Sequence, residues 1–348
     1  MPAAARRDIG VARTVAGEGG QRLYLAGGVV RDLLLGRPVR DVDLVVEGDA
    51  LAFARRLADR LGATRREHGR FATATLELED GRRLDVAATR RERYGRSGAL
   101  PDVTPGVPIE EDLARRDFSI GAMALTIVRR PRLLDPLGGR DDLRRGLVRI
   151  LHARSFVDDP TRVFRAVRYA ARLGFRLEPS TRRALVAAVA GGALDRISAD
   201  RLRREIRLIL EEPEHGRAIA SLQRLGVAAA VHPILAGPGA SRRLRRAGTA
   251  ADWLCYLRAW MGNAPEAVVD GLASRLGLSR AERRGLEATR RGPAEIAVRG
   301  ADLLAAGVPP GPAIGRALAK TRQALEQGRL DPHGALAFAL RAARGEEA

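Results

Sequence analysis

Two aspartates stand one residue apart at the start of an apolar run, in the segment DVDLVV of residues 41–46. In a β-strand, alternate side chains lie on opposite faces, so Asp41 and Asp43 would project together, with Val42 and Leu44 turned to the other side. Carboxylates held this close repel each other unless divalent cations lie between them. Because hard oxygen ligands suit Mg²⁺, the pair predicts a metal site on one face of a sheet.

A Gly-Gly pair lies upstream, between an apolar strand and a short helix predicted over 29–35. Glycines at such a junction let backbone N–H groups approach a phosphate closely, and the helix N-terminus adds partial positive charge. Gly27 and Gly28 are therefore candidate phosphate-binding residues, with Arg31 and Asp32 beside them. The spacing fits neither a P-loop nor a dinucleotide-binding fingerprint. A phosphate site next to a metal site indicates nucleotidyl transfer.

Further charged residues with suitable chemistry follow along the chain. Asp85 lies in the segment LDVA, on a strand predicted over 83–87 that returns after a tight turn as the partner of a strand over 71–79. If this strand also lay beside the strand of the two aspartates, it would direct Asp85 at the same metals. Asp85 is a candidate third catalytic carboxylate, and an ordinary aspartate near a strand edge is an equally good interpretation. Farther on, Arg115 and Arg116 could neutralise a triphosphate, while Asp117 could accept a hydrogen bond from a ribose hydroxyl.

An acidic and a basic residue begin an amphipathic helix predicted over 158–175. Asp159 and Arg162 are three residues apart, a spacing that places them on one helical face. Side by side, a carboxylate and a guanidinium complement the amine donor and ring-nitrogen acceptor of cytosine and adenine. Uracil and guanine present the opposite order and would leave these groups unpaired. Arg165 and Arg168 would contact phosphate or brace Asp159; the alternative is a helix cap followed by solvated arginines.

The elements that position these residues follow from periodicity and turn residues. A helix over 49–61, begun by Asp49 and ended by Gly62, would cover the sheet. Residues 90–110, rich in Gly, Pro and Arg, predict a loop. Arg201 and Glu205 would form a structural i,i+4 pair on a helix over 194–210. Later helices are predicted over 217–225, 250–261, 264–276, 280–290, 300–306 and 314–327.

The composition indicates a polyanionic partner. The 348 residues carry a formal net charge of +19, and Lys320 is the only lysine, so arginine supplies almost all the positive charge. Aromatic residues make up 4%, too few for a single-strand stacking platform, which favours structured RNA. Cys255 is the sole cysteine, so no disulfide framework is expected. No segment is apolar enough to span a membrane, and residues 1–22 predict a flexible N-terminal tail.

The charged motifs occur in a familiar order. With GGVVRDLLLG and DVDLV, then RRDF at 115–118 and DDxxR at 158–162, the chain resembles class II tRNA nucleotidyltransferases and the related bacterial poly(A) polymerases, of the polymerase-β-like nucleotidyltransferase superfamily. The resemblance runs from Leu23 to about Leu330. It departs from the family pattern at Asp158, where glutamate is usual, and at Gly121, where asparagine is usual. The second departure affects a local hydrogen bond and removes none of the charged groups.

The resemblance implies an α+β fold. A nucleotidyltransferase head over 23–150, with a small mixed sheet and helices, would precede an all-α neck over 151–215 that carries the base-recognition helix. Helices of a body and tail over 216–348 would hold the acceptor arm and elbow of tRNA. Asp41 and Asp43 would bind two Mg²⁺ ions. The nucleotide would be contacted by Gly27, Gly28, Arg31, Asp32, Arg115, Arg116, Asp117, Asp159, Arg162, Arg165 and Arg168.

The activity implied is template-independent addition of CCA to tRNA 3′ ends from CTP and ATP, with release of pyrophosphate, in the cytoplasm. A-adding or CC-adding enzymes and poly(A) polymerases would have nearly the same site, so the motifs leave these alternatives open. In the family, a flexible loop between the first two motifs assists nucleotide selection, and the full-length segment 90–110 argues against CC-only addition. A non-catalytic RNA-binding protein is a further alternative, against which the two intact aspartates count. The sequence indicates no particular oligomer.

Overall fold

The structure is a computed structural model. It describes residues 1–39, 42–247, 252–288, 298, 300–326, 330 and 334–345. The chain divides into two compact units, Met1–Ser241 and Arg242–Ala348. The first unit contains a β-sheet and every predicted site residue that is described, and the described part of the second unit is helical.

The bounds of the elements are as follows. The strands are β1 Arg22–Ala26, β2 Val42–Glu47, β3 Thr64–His68, β4 Thr73–Glu77, β5 Arg83–Ala88, β6 Arg90–Arg93, β7 Asp102–Pro105, β8 Ala124–Thr126, β9 Leu133–Leu134, β10 Leu147–Val148 and β11 Arg176–Leu177. The helices of the first unit are α1 Ala3–Glu18, α2 Gly28–Leu34, α3 Ala50–Leu61, α4 Ile109–Ala114, α5 Gly139–Arg145, α6 Ser155–Asp158, α7 Thr161–Leu173, α8 Pro179–Ala190, α9 Ala199–Leu210, α10 His215–Arg224 and α11 Val227–Val231. After them come α12 Ala240–Arg246, α13 Trp253–Met261, α14 Glu266–Arg275, α15 Arg280–Ala288, α16 Gly300–Ala305, α17 Pro312–Glu326 and α18 Ala335–Arg344.

The main sheet has seven strands in the order β3-β4-β5-β2-β1-β8-β9. Within it β2 and β5 run parallel, and every other neighbouring pair is antiparallel. The mixed sheet that the sequence predicted is therefore confirmed. The parallel register pairs Asp43 with Asp85, so the residue from the predicted return strand does lie next to one of the two aspartates.

The two faces of β2 have different surroundings. Val42, Leu44 and Val46 are almost fully buried, as expected for the face turned away from the aspartates. The helix α3 packs against β2, β4 and β5. It begins where Asp49 accepts a hydrogen bond from the backbone of the third residue on and ends at Gly62 in a left-handed conformation, both as predicted. The face of Asp43 is covered in part by α4, through a cluster that includes Val45.

Residues at the N-terminus form a packed helix, so the prediction of a flexible tail over 1–22 is wrong. The helix α1 packs against α3 and β1 and buries Ala12 and Val15. Asp8 on the same face is also buried and forms an ion pair with Arg82. The buried face consists mainly of alanine, whose small side chains give a weak periodic signal in the sequence.

The segment predicted as a loop over 90–110 contains regular structure instead. Strands β6 and β7 pair antiparallel with each other outside the main sheet, and α4 begins at Ile109. We call residues 90–105 the arm. Its strands carry charged side chains joined by ion pairs, such as Arg90 with Glu92, and they lack the apolar alternation by which strands are usually recognised.

Helices dominate the rest of the chain. The helix α7 ends at Gly174, as predicted, and packs against α9 and α10. The helices predicted after residue 216 are present with ends shifted by a few residues, and the predicted ends at 250, 290 and 327 lie outside the described residues. Within the part of the chain that is described, no helix is long and apolar enough to cross a membrane.

Candidate active site

Two carboxylates lie side by side on the sheet. Asp43 and Asp85 are paired in the parallel register of β2 and β5, which directs both side chains to the same face. Asp43 is partly buried, and the exposed Asp85 accepts a 2.7 Å hydrogen bond at Oδ1 from the hydroxyl of Thr75 on β4. Asp41, the other predicted metal ligand, lies outside the described residues.

The donor set on this face fits a divalent cation. Carboxylate oxygens are the hard ligands that Mg²⁺ prefers, and Asp43 and Asp85 offer them from adjacent strands. Among the residues that the structure describes, no group of three or more His, Cys, Asp and Glu side chains is arranged to hold a metal. Asp41 lies outside the described residues and therefore does not count toward such a group.

The Gly-Gly pair forms the turn between β1 and α2. Gly27 has φ of 84° and ψ of −130°, a backbone conformation that favours glycine, and Gly28 is the first residue of α2. A Cβ atom at Gly27 would lie 2.5 Å from Nη1 of Arg116. The absence of a side chain at this position therefore allows the guanidinium of the second motif to pack against the turn.

Arg31 is held in place by its neighbour. Its guanidinium is buried and donates two hydrogen bonds to Asp32, from Nε to Oδ1 at 2.8 Å and from Nη2 to Oδ2 at 3.0 Å. This bidentate geometry fixes the plane of the guanidinium. Asp32 therefore orients Arg31, a role that the sequence motif did not distinguish from a direct nucleotide contact.

A buried aspartate that sequence reasoning assigned no role holds both arginines of the second motif. Asp112 is fully buried; its Oδ1 accepts from Arg115 at 2.6 Å and its Oδ2 from Arg116 at 2.9 Å. Burial alone would raise the pKa of Asp112, but the charges of Arg116 and Arg115 outweigh it and hold the pKa below its usual range. The i,i+3 and i,i+4 spacing was the available sequence signal for these pairs.

Asp117 joins the second motif to helix α7. It accepts a 2.8 Å hydrogen bond at Oδ2 from Nε of Arg165, which is thus an ion-pair partner of Asp117 and makes no bond to Asp159. Burial would raise the pKa of Asp117, yet the nearby charges of Arg165 and Arg162 leave it lowered. The aspartate is therefore ionised and available as an acceptor.

Asp159 lies at the joint between α6 and α7. Its backbone is extended, with φ of −129° and ψ of 93°, so Asp159 precedes helix α7. The sequence predicted that helical spacing would bring Asp159 and Arg162 together, and that prediction is wrong because Asp159 is outside the helix. Its Oδ1 accepts from the backbone N–H and the hydroxyl of Thr161, at 3.2 and 2.7 Å, and from Nη2 of Arg201 at 2.7 Å. Within the described chain, its Oδ2 has no hydrogen-bond partner.

Arg162 is nearly buried and is tied to two other segments. Nη1 donates to the hydroxyl of Ser155 at 2.8 Å, and Nη2 donates to the backbone carbonyl of Arg115 at 2.9 Å. The guanidinium carbon lies 5.8 Å from the centre of the Tyr94 ring. These contacts fix the guanidinium plane next to Asp159 and use two of its five N–H donors.

Arg201 was expected to pair with Glu205, and that prediction is wrong. Besides its bond to Asp159, Arg201 donates from Nη1 to the backbone carbonyl of Gly98, at the tip of the arm, across 2.9 Å. The N–H of Gly98 in turn donates to the carbonyl of Asp158 at 3.3 Å. Arg201 therefore joins the arm to the residue that the sequence assigns to base recognition.

Glu205 and Glu212, both near helix α9, face arginines of α7. Glu212 forms ion pairs with Arg168, at 3.5 Å, and with Arg172. Glu205 is buried, and its Oε2 has no hydrogen-bond partner among the described residues. Burial raises the pKa of Glu205 although the charges of Arg165 and Arg168 oppose the shift.

Two adjoining pockets contain most of the predicted residues. The Gly28 pocket, of about 280 Å³, is lined by Gly27, Gly28, Arg31, Asp43, Arg116, Asp117, Phe118, Ile120, Gly121, Arg165, Arg168, Tyr169 and Arg172. The Asp159 pocket, of about 250 Å³, is lined by Glu92, Tyr94, Arg115, Arg116, Asp117, Asp159, Arg162 and Arg165. The pockets share Arg116, Asp117 and Arg165, so a glycine turn with a carboxylate lies at one end and the Asp159–Arg162 pair at the other. Asp32 and Asp85 line neither pocket.

This combination of a mixed sheet bearing paired carboxylates, a glycine turn and arginine-lined pockets defines the head of a polymerase-β-like nucleotidyltransferase. Residues 23–149 match the family described as Poly A polymerase head domain. Residues 174–237 match a second, described as Probable RNA and SrmB- binding site of polymerase A. The chain belongs to the family of class II tRNA nucleotidyltransferases and bacterial poly(A) polymerases.

Relatives of different specificity resemble the chain. It is 43% identical over 209 residues to an A-adding tRNA nucleotidyltransferase of Halalkalibacterium halodurans, a match that covers 59% of the chain and 49% of the relative. It is 37% identical over 319 residues to a CC-adding tRNA nucleotidyltransferase of Deinococcus radiodurans, covering 85% and 83%. The chain thus spans about half the length of the first relative and most of the second.

Solved structures of CCA-adding enzymes have a similar architecture. The Thermotoga maritima CCA-adding enzyme complexed with tRNA_CCA has a TM-score of 0.69 and 28% sequence identity, over 99% of this chain and 81% of that one. Complexes of a CCA-adding enzyme with ATP and with CTP have TM-scores of 0.72 and 0.70, again over 99% of this chain and at 28% and 29% identity.

Proposed function

We propose that this protein adds C, C and A to the 3′ end of tRNA from CTP and ATP without a nucleic-acid template. The observation that carries the proposal is the order of groups along the two pockets. The Gly28 pocket offers arginines and a glycine turn for a triphosphate, and the Asp159 pocket offers a carboxylate and a guanidinium for a base. Asp117 lines both pockets, where it would accept a hydrogen bond from a ribose hydroxyl.

The triphosphate would bind in the Gly28 pocket. Gly27 leaves room for Arg116 at the turn, and Asp112 and Asp32 fix the guanidinium planes of Arg116 and Arg31. Planar guanidinium groups with fixed orientation suit bidentate contacts to phosphate oxygens. Because these side chains are already ordered, less free energy is lost in ordering them when the triphosphate binds.

The base would be selected in the Asp159 pocket. Three donors occupy Oδ1 of Asp159, so its Oδ2 is the atom that accepts from the exocyclic amine of cytosine or adenine. Arg162 would donate to the adjacent ring nitrogen. Uracil and guanine would set a carbonyl against the carboxylate and a ring N–H against the guanidinium, which leaves desolvated groups unpaired.

Catalysis would take place at the Asp43 end of the Gly28 pocket. Members of this family use divalent metal ions. We propose that Asp41 and Asp43 bind two Mg²⁺ ions, with Asp85 beside them as a third carboxylate. When bound, the ions supply a lowered pKa for the tRNA 3′-hydroxyl and charge neutralisation for departing pyrophosphate. Arg31 and Arg116 would hold the triphosphate next to these carboxylates.

We assign residues 23–150 to the head, 151–215 to the neck and 216–348 to a body and tail that hold the tRNA acceptor arm and elbow. The arginine surplus and the match of residues 174–237 to an RNA-binding family support a tRNA partner. We expect the protein to act in the cytoplasm, with no membrane or disulfide-linked partner.

A divided-labour enzyme is the second candidate. It is favoured by the A-adding relative at 43% identity and by the CC-adding relative that the chain matches over most of its length. Both would use the same head and the same phosphate contacts, so the difference would lie in which bases are accepted and in when addition stops. Poly(A) polymerase activity and non-catalytic RNA binding are the remaining alternatives.

The experiment that tests the proposal is 3′-end sequencing of a tRNA lacking CCA after incubation with the protein, Mg²⁺ and CTP, ATP or both. We expect CCA ends only when both nucleotides are present. CC ends that never receive A, or A added only to CC-ended tRNA, would identify a divided-labour enzyme. Long A tails would identify a poly(A) polymerase, and tight tRNA binding without incorporation a binding protein.

A further inference from the structure

Three guanidinium groups surround the ring of Tyr169 on helix α7. The guanidinium carbons of Arg31, Arg165 and Arg168 lie 5.6, 5.4 and 5.2 Å from the ring centre, each within the range of a cation–π contact. Phe118 meets the same ring edge to face, with the ring centres 5.8 Å apart and an angle of 85° between the planes. The ring is thus a shared contact of cations from two helices.

All three arginines line the Gly28 pocket, as does Tyr169 itself. Each guanidinium also has a carboxylate partner: Asp32 for Arg31, Asp117 for Arg165, and for Arg168 the Glu212 that it shares with Arg172. The aromatic ring differs from these partners because it carries no net charge. It attracts the cations through its quadrupole, so it holds them together without adding negative charge beyond that of the carboxylate partners.

The hydroxyl of Tyr169 adds a directional contact. It accepts a 3.0 Å hydrogen bond from Nη2 of Arg165. Burial raises the pKa of Tyr169, and the charge of Asp117 raises it further, while the neighbouring arginines oppose the shift. The phenol therefore stays neutral and adds no negative charge to the pocket.

We propose that Tyr169 is the positioning residue of the triphosphate site: its ring gathers Arg31, Arg165 and Arg168 and sets their spacing for phosphate oxygens. The inference rests on the proposed function and deepens it by assigning the organisation of the phosphate end to an aromatic side chain. It concerns the polyphosphate alone and predicts no effect on the choice of base.

The test measures binding of inorganic tripolyphosphate by calorimetry, together with KM and kcat for CTP and ATP. Tyr169→Leu and Tyr169→Met remove the ring, and Tyr169→Phe keeps it. We expect the ring-free variants to weaken tripolyphosphate binding about 10-fold, as expected for the loss of several weak cation–π contacts. KM for CTP and ATP should rise by the same factor, while the preference for C and A over U and G stays unchanged. Tyr169→Phe should stay within about 3-fold of wild type.

Tyr94→Leu is the matched control. Tyr94 stacks on Arg162 in the Asp159 pocket and does not line the Gly28 pocket, so its loss should leave tripolyphosphate affinity unchanged. Wild-type affinity in folded Tyr169→Leu or Tyr169→Met would overturn the proposal, as would an equal loss in Tyr169→Phe, which would assign the effect to the hydroxyl. Ring-dependent tripolyphosphate binding by a protein that adds no nucleotide would uphold this inference while refuting the proposed function.

Discussion

Asp85 lies directly opposite Asp43 in the parallel pairing of β5 with β2, and the two side chains share one face of the sheet. Their strands are separated in the chain by a helix and a hairpin, so the contact is a product of sheet topology and not of local sequence. This position makes Asp85 a candidate ligand of a metal bound by Asp43. The bond that it accepts from Thr75 orients the carboxylate.

Replacing either carboxylate should abolish catalysis while keeping RNA binding. We expect Asp43→Asn and Asp85→Asn each to lower kcat for nucleotide incorporation about 10³-fold, because metal-directed charge is worth several kcal/mol in the transition state. Glu79→Gln, at an exposed site after β4, is the control and should keep full activity. Measuring incorporation kinetics together with tRNA affinity distinguishes a loss of catalysis from a loss of RNA binding. Full activity in Asp85→Asn would make Asp85 an ordinary aspartate of the sheet.

Arg201 should control base selection although it lies on another helix. Arg201→Ala removes one of the three donors to Oδ1 of Asp159 and the bond to Gly98 in the arm. Since a charge-assisted hydrogen bond contributes about 1.5–3 kcal/mol, kcat/KM for CTP and ATP should fall about 10–100-fold, and misincorporation of U and G should rise. Arg203→Ala removes an arginine paired with the exposed Asp200 and should change neither quantity. Equal selectivity in both variants would disprove the role of Arg201.

Gly27→Ala should impair nucleotide binding beyond its effect on stability. Gly27 and Gly36 both have positive φ, so alanine at either costs about 1–3 kcal/mol of backbone strain, and the cost is greater at Gly27, whose ψ of −130° lies outside the left-handed helical region. Only at Gly27 would the new Cβ meet Arg116; at Gly36, no atom of the described residues beyond its chain neighbours lies within 4 Å of a Cβ. We expect both variants to lose thermal stability, Gly27→Ala more than Gly36→Ala, but a rise in KM for ATP of about 10-fold only in Gly27→Ala. Equal KM values would show that Arg116 can move aside without loss.

Glu205→Gln should stabilise the protein at neutral pH. Because burial raises its pKa, the folded carboxyl holds its proton to a higher pH than the unfolded one, so stability falls as pH rises from the usual value of 4.5 through the folded pKa. The amide does not ionise and avoids this loss. Tm of the variant should exceed that of wild type at about pH 8, by about 2–4 °C for each kcal/mol regained, and match it near about pH 4.

The control for this prediction lies on the same segment. Glu211→Gln changes an exposed carboxylate that pairs with Arg207 and should leave the pH dependence of stability unaltered. A lower Tm for Glu205→Gln at neutral pH would mean that the attraction of Arg165 and Arg168 outweighs the burial of the charge.

Local features of the site could be predicted from the sequence because short-range physics decides them. The cap at Asp49, the left-handed Gly62 and the alternation of Val42 with Asp43 each depend on neighbouring residues alone. The pairing of β5 with β4 was also predicted, since a tight turn between two strands forces them to pair, whereas the position of β5 beside β2 depends on the topology of the sheet. Asp112 was assigned no role and Asp32 was assigned a nucleotide contact, although both bind arginines. A cluster of charged residues in a sequence does not show which of them form ion pairs.

Contacts across the fold could not be predicted. Arg201 has Glu205 one turn away on its helix, yet it bonds Asp159 and Gly98, which folding brings to it. The same limit applies to α1, where an alanine-rich face is stabilised by packing on α3 and β1, and to the arm, whose charged strands pair without an apolar pattern. In each case a tertiary partner, absent from the local sequence, determines the outcome.

The most direct test of the central claim, that protein side chains read the base, is nucleotide selection by Asp159→Ala. With all four nucleoside triphosphates at equal concentration and a tRNA lacking CCA, sequencing of wild-type products should find C and A almost exclusively. Asp159→Ala should lose the acceptor for the exocyclic amine, slow incorporation and admit U and G. Unchanged selectivity in an active Asp159→Ala variant would contradict the account and assign base selection to the RNA or to other residues.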